Sequence, residues 1–263
     1  MMFYPDKIND QKVKKFFKEK KLEKLIKFNS QKELKVNELI SKNPYKPNLK
    51  DLYSLYNLVL KNKRTTILEF GSGWSTLIFC LALSELKKKY GKKVKHLRRN
   101  NPFELFVIDN EKKFLKITKD RINKYFSFKL PIKINYMYST VKMTKFNDKI
   151  CTEYNNLPLC NPDFIYLDAP DQFMVSGNIN GISTRHKDMV PMSSDLLKIE
   201  HFFNPGTIIA VDGRRSNSYF LKCNFQKRWL YKYSNFYDQH VFYLNEKPLG
   251  ELSKKLINFY KRK

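Results

Sequence analysis

Ile67-Leu68-Glu69-Phe70-Gly71-Ser72-Gly73-Trp74-Ser75-Thr76 is the stretch that decides how this chain reads. The apolar run over residues 66–70 has the length and composition of a buried parallel strand. Two glycines one residue apart end it, and a helical pattern begins at Trp74. Strand, tight turn and helix in that order set backbone amides, and the positive end of a helix dipole, at the strand's carboxyl end. Glycine suits the bend because no Cβ obstructs the turn or an approaching ligand.

Two further apolar strands run into acids. Leu105-Phe106-Val107-Ile108 is followed by Asp109, and Phe164-Ile165-Tyr166-Leu167 by Asp168. Acidic or glycine-rich carboxyl ends on three strands describe the crevice where open α/β sheets bind ligands. The pattern Glu69-x-Gly71-x-Gly73-x-Ser75-Thr76, with Asp109 closing the next strand, resembles the class I S-adenosylmethionine-dependent methyltransferases over roughly residues 50–247. It departs from the dinucleotide fingerprint G-x-G-x-x-G at Thr76, where the third glycine would stand, and no Gly-Lys-Ser/Thr follows to make a Walker A loop.

The resemblance implies an α/β, Rossmann-like fold: a seven-stranded, mostly parallel sheet with helices on both faces. It also implies S-adenosylmethionine as the methyl donor. Gly71, Ser72, Gly73, Ser75 and Thr76 would lie along its methionine moiety. Glu69 would hold its amino group directly or through water, Asp109 its ribose hydroxyls, and Ser139, after the third strand, its adenine. Two domains are expected, a basic helical N-terminal extension over 1–48 and the methyltransferase-like catalytic domain over 49–263, with a proline-containing linker at 43–48.

An acceptor hydroxyl must lose its proton to a placed base or to a metal that lowers its pKa. Asp168 and Asp212 end strands at one sheet edge and are the first candidates. His186, in the polar loop 173–191, is the candidate histidine base; a loop this long after a ligand-end strand reads as a lid or substrate loop. Catechol-type relatives hold magnesium with two aspartates and an asparagine. Here Gly213 occupies the asparagine's position, so a metal, not favoured, would fall to Asp168, Asp212 and Asn217. Ala169-Pro170-Asp171 departs from the D-P-P-Y motif of amino-methylating enzymes, and Arg214 and Arg215 could clamp an acidic acceptor. The expected activity is O-methylation of a small molecule or a glycan. The alternatives are an RNA or cap-type methyltransferase and a non-catalytic binding module on the same fold.

Composition bounds these readings. The 263 residues are 42% hydrophobic and 15% aromatic, enough for one sizeable core. Net charge is +26, which invites nucleic acid, yet Lys outnumbers Arg 42 to 9 and arginine is the better bidentate reader of phosphate and base. The longest apolar run, 77–83, is far too short to cross a bilayer, and no apolar signal segment follows the N-terminus. Cys80, Cys151, Cys160 and Cys223 form no C-x-x-C pair, which suits free thiols in a reducing, cytoplasmic setting.

The remaining elements follow from periodicity. Val13, Phe16, Phe17, Leu22, Leu25 and Ile26 line one face of a basic helical region, read as packed. Helices are expected at 49–61, from Trp74 through 77–90, and at 111–126, 193–203, 218–225 and 253–260. Strands are expected at 132–138, 163–168 and 206–211, with an antiparallel pair at 228–234 and 240–244. Residues 87–99 carry eight Lys or Arg and no acid, and read as a basic inserted loop.

Overall fold

The computed structural model describes residues 2–29, 46–126 and 130–261. Part of the expected linker, 43–45, lies outside the described residues. The strands are β1 (Thr66–Phe70), β2 (Glu104–Asp109), β3 (Lys133–Tyr138), β4 (Val141–Phe146), β5 (Lys149–Tyr154), β6 (Phe164–Leu167), β7 (Val175–Ser176), β8 (Ile208–Asp212), β9 (Trp229–Ser234) and β10 (Gln239–Leu244). The helices are α1 (Asp10–Glu19), α2 (Glu23–Asn29), α3 (Leu49–Lys61), α4 (Trp74–Val94), α5 (Lys112–Tyr125), α6 (Asp195–Lys198), α7 (Arg215–Asn224) and α8 (Glu251–Lys261).

Seven strands form one sheet in the order β3-β2-β1-β6-β8-β10-β9. The first five are parallel and β10 runs antiparallel to both β8 and β9, so the fold is the expected α/β, Rossmann-like, mostly parallel sheet. The order reverses beside β1, because the chain moves outward through β2 and β3 and then returns to β6 on the other side. Crevices at such reversals open at strand carboxyl ends, where Gly71, Asp109, Asp168 and Asp212 all fall.

Alternation along β1 divides the core. Ile67 faces a cluster with α1, α2, α3, α4, α5 and α8; Leu68 and Phe70 face another built from β4, β5, β7, α6 and α7. Helices therefore cover both faces, and a small sheet ordered β5-β4-β7 shares the second. Phe79 of α4 packs edge-on against Phe164 and Tyr166, and burying such a ring contributes roughly 1.5–3 kcal/mol. Val13, Phe17, Leu22 and Leu25 are buried in the cluster that holds α3 and α4, with Phe16 and Ile26 packed against it.

Local chemistry sets several boundaries. Asn48 caps α3 by accepting from the Lys50 and Asp51 amides, and Glu111 caps α5 through the Lys113 amide. At the opposite edge of the sheet the buried Asp163 carboxylate accepts from the Thr65 and Thr66 amides and the Tyr260 hydroxyl, and pairs with Arg99. That acid braces the strand starts.

Three expectations need correction. The basic stretch 87–99 is not simply a loop, because α4 continues to Val94 and carries most of its lysines. The expected helix over 193–203 reduces to α6 and one 3-10 turn (Glu200–Phe202); the Ser193 hydroxyl donates to Asp195 and that of Ser194 to the Thr152 carbonyl, so neither caps a longer helix. The β4–β5 hairpin was not anticipated. It turns through Asn147 and Asp148, both at positive φ, and Val175 and Ser176 of the expected loop pair with β4.

Candidate active site

Gly71 has φ +91°, and a Cβ there would lie 3.2 Å from both the Asp168 carbonyl oxygen and the Ala169 Cβ. The first glycine is therefore required by conformation and by the close approach of β6. Gly73 is extended, and a Cβ on it would meet nothing within 4 Å, so the second glycine opens onto free space at the head of α4. The Thr76 hydroxyl accepts from the Gly73 amide at 3.1 Å and fixes this turn.

Glu69 is fully buried on the α4 side of β1. Its Oε1 accepts from the Ser75 hydroxyl at 2.5 Å, the Thr76 hydroxyl also bonds its carboxyl group, and its Oε2 has no partner among the described residues. Burial pushes its pKa up to about 8, against the hydroxyl bonds that lower it. A raised folded-state value means stability that is fully present below the unfolded value near 4.5 and lost as pH rises towards 8. Glu69→Gln is thus expected to flatten the stability profile and to unfold at higher urea than the parent at pH 8; a parent midpoint constant from pH 5 to pH 9 would refute this.

Asp109 joins β2 to the glycine turn. Its Oδ2 accepts from the Ser72 amide (2.8 Å) and hydroxyl (2.6 Å), and its Oδ1 from the Glu111 amide at 2.9 Å. Burial raises its pKa to about 6, against those hydrogen bonds. Ser139 lies beside it: its amide donates to the Asp109 carbonyl, and its hydroxyl accepts from the Asn156 amide. Asn110 reaches across the crevice and accepts from the Asp171 amide at 3.1 Å, tying the end of β2 to the segment after β6.

Asp168 and Asp212 meet. They share a side-chain hydrogen bond; burial raises both, Asp168 the further because the Asp212 charge adds to its shift, whereas the bond to Asp168 holds Asp212 down. Two adjoining carboxylates cannot both ionise near neutrality, so the pair holds one proton, carried by Asp168. Arg214 opposes the shift on both; its guanidinium donates to the Pro170 carbonyl at 2.8 Å. Asp51 of α3 approaches the pair as well and is itself raised, by burial and by Asp212. Its carboxylate accepts from Gln239, which in turn accepts from the Ser54 hydroxyl. Asp238 lies against Gly213, where a Cβ would sit 2.2 Å from its Oδ2, so any larger residue there would push that carboxylate aside.

The other expected residues are placed differently. His186 is exposed in a turn; its Nδ1 accepts from the Asp188 amide at 3.2 Å, and no hydrogen bond or ion pair among the described residues joins it to Asp168 or Asp212. Asn217 is fully buried, and its Oδ1 accepts from the Ser193 amide at 3.0 Å. No hydrogen bond among the described residues joins Asn217 to Asp168 or Asp212, and Gly213 has no side-chain donor. The described residues contain no group of three or more His, Cys, Asp or Glu able to hold a metal ion. Of the three expected ligands, Asp168 and Asp212 adjoin, and Asn217 is bonded to the Ser193 amide.

Asp51 and Asp238 escaped sequence reasoning. An acid in a first helical turn looks like a partner for the dipole, and one in a hairpin turn like ordinary turn chemistry.

No family model matches the chain, and no curated protein matches it in sequence. Solved structures similar to it include the O-methyltransferase from Bacillus cereus in complex with SAH, at 15% identity over 90% of this chain and 96% of that one, with a TM-score of 0.45. The O-methyltransferase TomG from Streptomyces achromogenes, in complex with SAM, is 12% identical over 93% of each chain, with a TM-score of 0.39. Likeness this distant assigns no activity. The fold rests on the strand pairing itself.

Proposed function

We propose that the chain is an S-adenosylmethionine-dependent methyltransferase acting on a hydroxyl group, on a small molecule or a glycan. The observation that carries this is the convergence, at one reversal in the sheet, of the open glycine turn, Asp109 and the hydrogen-bonded Asp168–Asp212 pair. The residues suit the donor. Gly73 leaves space for it, the unpartnered Oε2 of Glu69 is an acceptor for its ammonium group, and Asp109 Oδ1 keeps a lone pair for a ribose hydroxyl. Ser139 borders the adenine end.

S-adenosylmethionine supplies an electrophilic methyl carbon on a positively charged sulfur. Asp212, held ionised by Arg214 and by the proton on Asp168, would take the hydroxyl proton, while the methyl carbon would pass to the acceptor oxygen as its bond to sulfur breaks, leaving the neutral thioether S-adenosylhomocysteine. Positioning and charge complementarity supply the rest. No base role is given to His186, and no step uses a metal.

The test is transfer of a labelled methyl group from S-adenosylmethionine into hydroxylated small-molecule and glycan extracts, set against total RNA. Label in alkali-stable O-methyl products of the former supports the reading; label in RNA alone supports the RNA methyltransferase. Isothermal titration with S-adenosylhomocysteine addresses the shared pocket, and absence of binding there would overturn both. Binding without transfer to any extract would favour the non-catalytic module. Among the described residues no helix is long and apolar enough to cross a membrane. We place the enzyme in the cytoplasm on its free thiols.

A further inference from the structure

Tyr154 ends β5, on the hairpin that shares the second face of the sheet. Its ring packs against Phe70, the residue before Gly71, with centroids 5.6 Å apart. Its amide donates to Asp195 Oδ1 at 3.0 Å, and its partner across the hairpin is Val141. The next two residues tie it to the segment after β3: the Asn155 amide donates to the Thr140 carbonyl, and the Asn156 amide to the Ser139 hydroxyl. Ser139 donates through its own amide to the Asp109 carbonyl. Tyr154 is thus held between the strand that enters the glycine turn and the segment beside Asp109.

Only 5% of this residue is exposed, and its hydroxyl is buried with no hydrogen-bond partner among the described residues. A hydroxyl left in that state costs free energy, and buried polar groups are as a rule paired. Packing does not account for it, because phenylalanine would fill the same space without the cost. Burial, and after it the charge of Asp109, pushes its pKa up, so the oxygen keeps its proton and can donate. Asp195, Arg214 and Asp168 act on it more weakly. Asp109 outweighs Asp168, which sets the hydroxyl on the Asp109 side of the crevice rather than beside the acid pair.

We propose that the Tyr154 hydroxyl binds the ribose of the methyl donor, donating to a ribose hydroxyl oxygen while Asp109 accepts a hydrogen bond from the same sugar. This rests on the reading of the crevice as a site for S-adenosylmethionine. The chemistry is complementary: an ionised carboxylate only accepts, whereas a sugar hydroxyl both donates and accepts, so an acid alone leaves the sugar oxygens without a donor. The phenol supplies that donor from the opposite element, the hairpin rather than β2.

The test is Tyr154→Phe, which removes one oxygen and keeps the ring. In urea the free variant should unfold at the parent's midpoint or above it, because a hydroxyl with no partner stabilises nothing. Isothermal titration should show S-adenosylhomocysteine binding the variant about tenfold more weakly than the parent. The analogue of S-adenosylhomocysteine lacking both ribose hydroxyls should bind variant and parent within about twofold of each other. A lowered midpoint would mean that the hydroxyl is already bonded in the free protein, and would overturn the proposal. A tenfold loss that persists with the analogue would place the contact away from the sugar hydroxyls and overturn it too. If the parent binds S-adenosylhomocysteine and the variant matches it, this inference falls alone; if the parent does not bind, the methyltransferase reading falls with it.

Discussion

Asp109→Ala should bind S-adenosylhomocysteine about a hundredfold more weakly than the parent, read by isothermal titration. Two losses combine. On the proposed reading the ribose would lose its acceptor, and the glycine turn loses the carboxylate that holds the Ser72 amide and hydroxyl. Hydrogen bonds to a charged group contribute about 1.5–3 kcal/mol each, and the orphaned turn amide adds its own cost. Asp109→Asn keeps an acceptor for Ser72 and should lose only about tenfold. Far-UV circular dichroism separates a misfolded alanine variant from a folded one with an empty crevice. Affinity unchanged in the alanine variant would remove Asp109 from the ribose role.

The second large effect falls on turnover. Asp212→Asn should lower kcat by about 10²–10⁴, the usual contribution of a placed base, with S-adenosylhomocysteine affinity within about threefold of the parent. The pH profile gives the sharper reading. Burial holds the folded-state pKa of Asp212 above its ordinary value, so parent activity should rise with pH along an acid limb displaced upward from 3.8. That limb should be missing in the asparagine variant. The Asp238 charge adds to that upward shift, so Asp238→Asn should move the limb towards lower pH. Undiminished turnover in Asp212→Asn would sink the base assignment.

Much of the scaffold was legible where one signal dominated. The apolar run ending in Gly71 specified β1 and its turn, and Asn48 before Leu52, Leu55, Tyr56 and Val59 specified α3. The antiparallel close of the sheet followed from alternation in β9 and β10. The β4–β5 hairpin was legible in principle, since Asn147 and Asp148 between alternating runs both tolerate the positive φ of a tight two-residue turn, but Lys142, Lys145 and Lys149 diluted the apolar pattern. The helix expected after Ser193 failed because tertiary bonds from Ser193, Ser194 and Asp195 to β5 and within the loop took the groups that would have capped it. Contacts between distant residues left no local trace. Nothing near Asp51 announces Gln239, and nothing near Asn217 announces the Ser193 amide that occupies it.

The clasp between α3 and β10 also has a bearing on biosynthesis. Ser72 and Asp109 are 37 positions apart, and both have been synthesised when less than half the chain is made. Ser54 and Asp51 wait for Gln239, 185 and 188 positions downstream. Contacts of that span close late because the intervening polymer must first be ordered. The Ser72–Asp109 contact can thus close early in translation, and the Asp51–Gln239 contact only when the last hairpin docks, so on the proposed reading the turn that would meet the donor forms before the carboxylates that would take the proton are clasped.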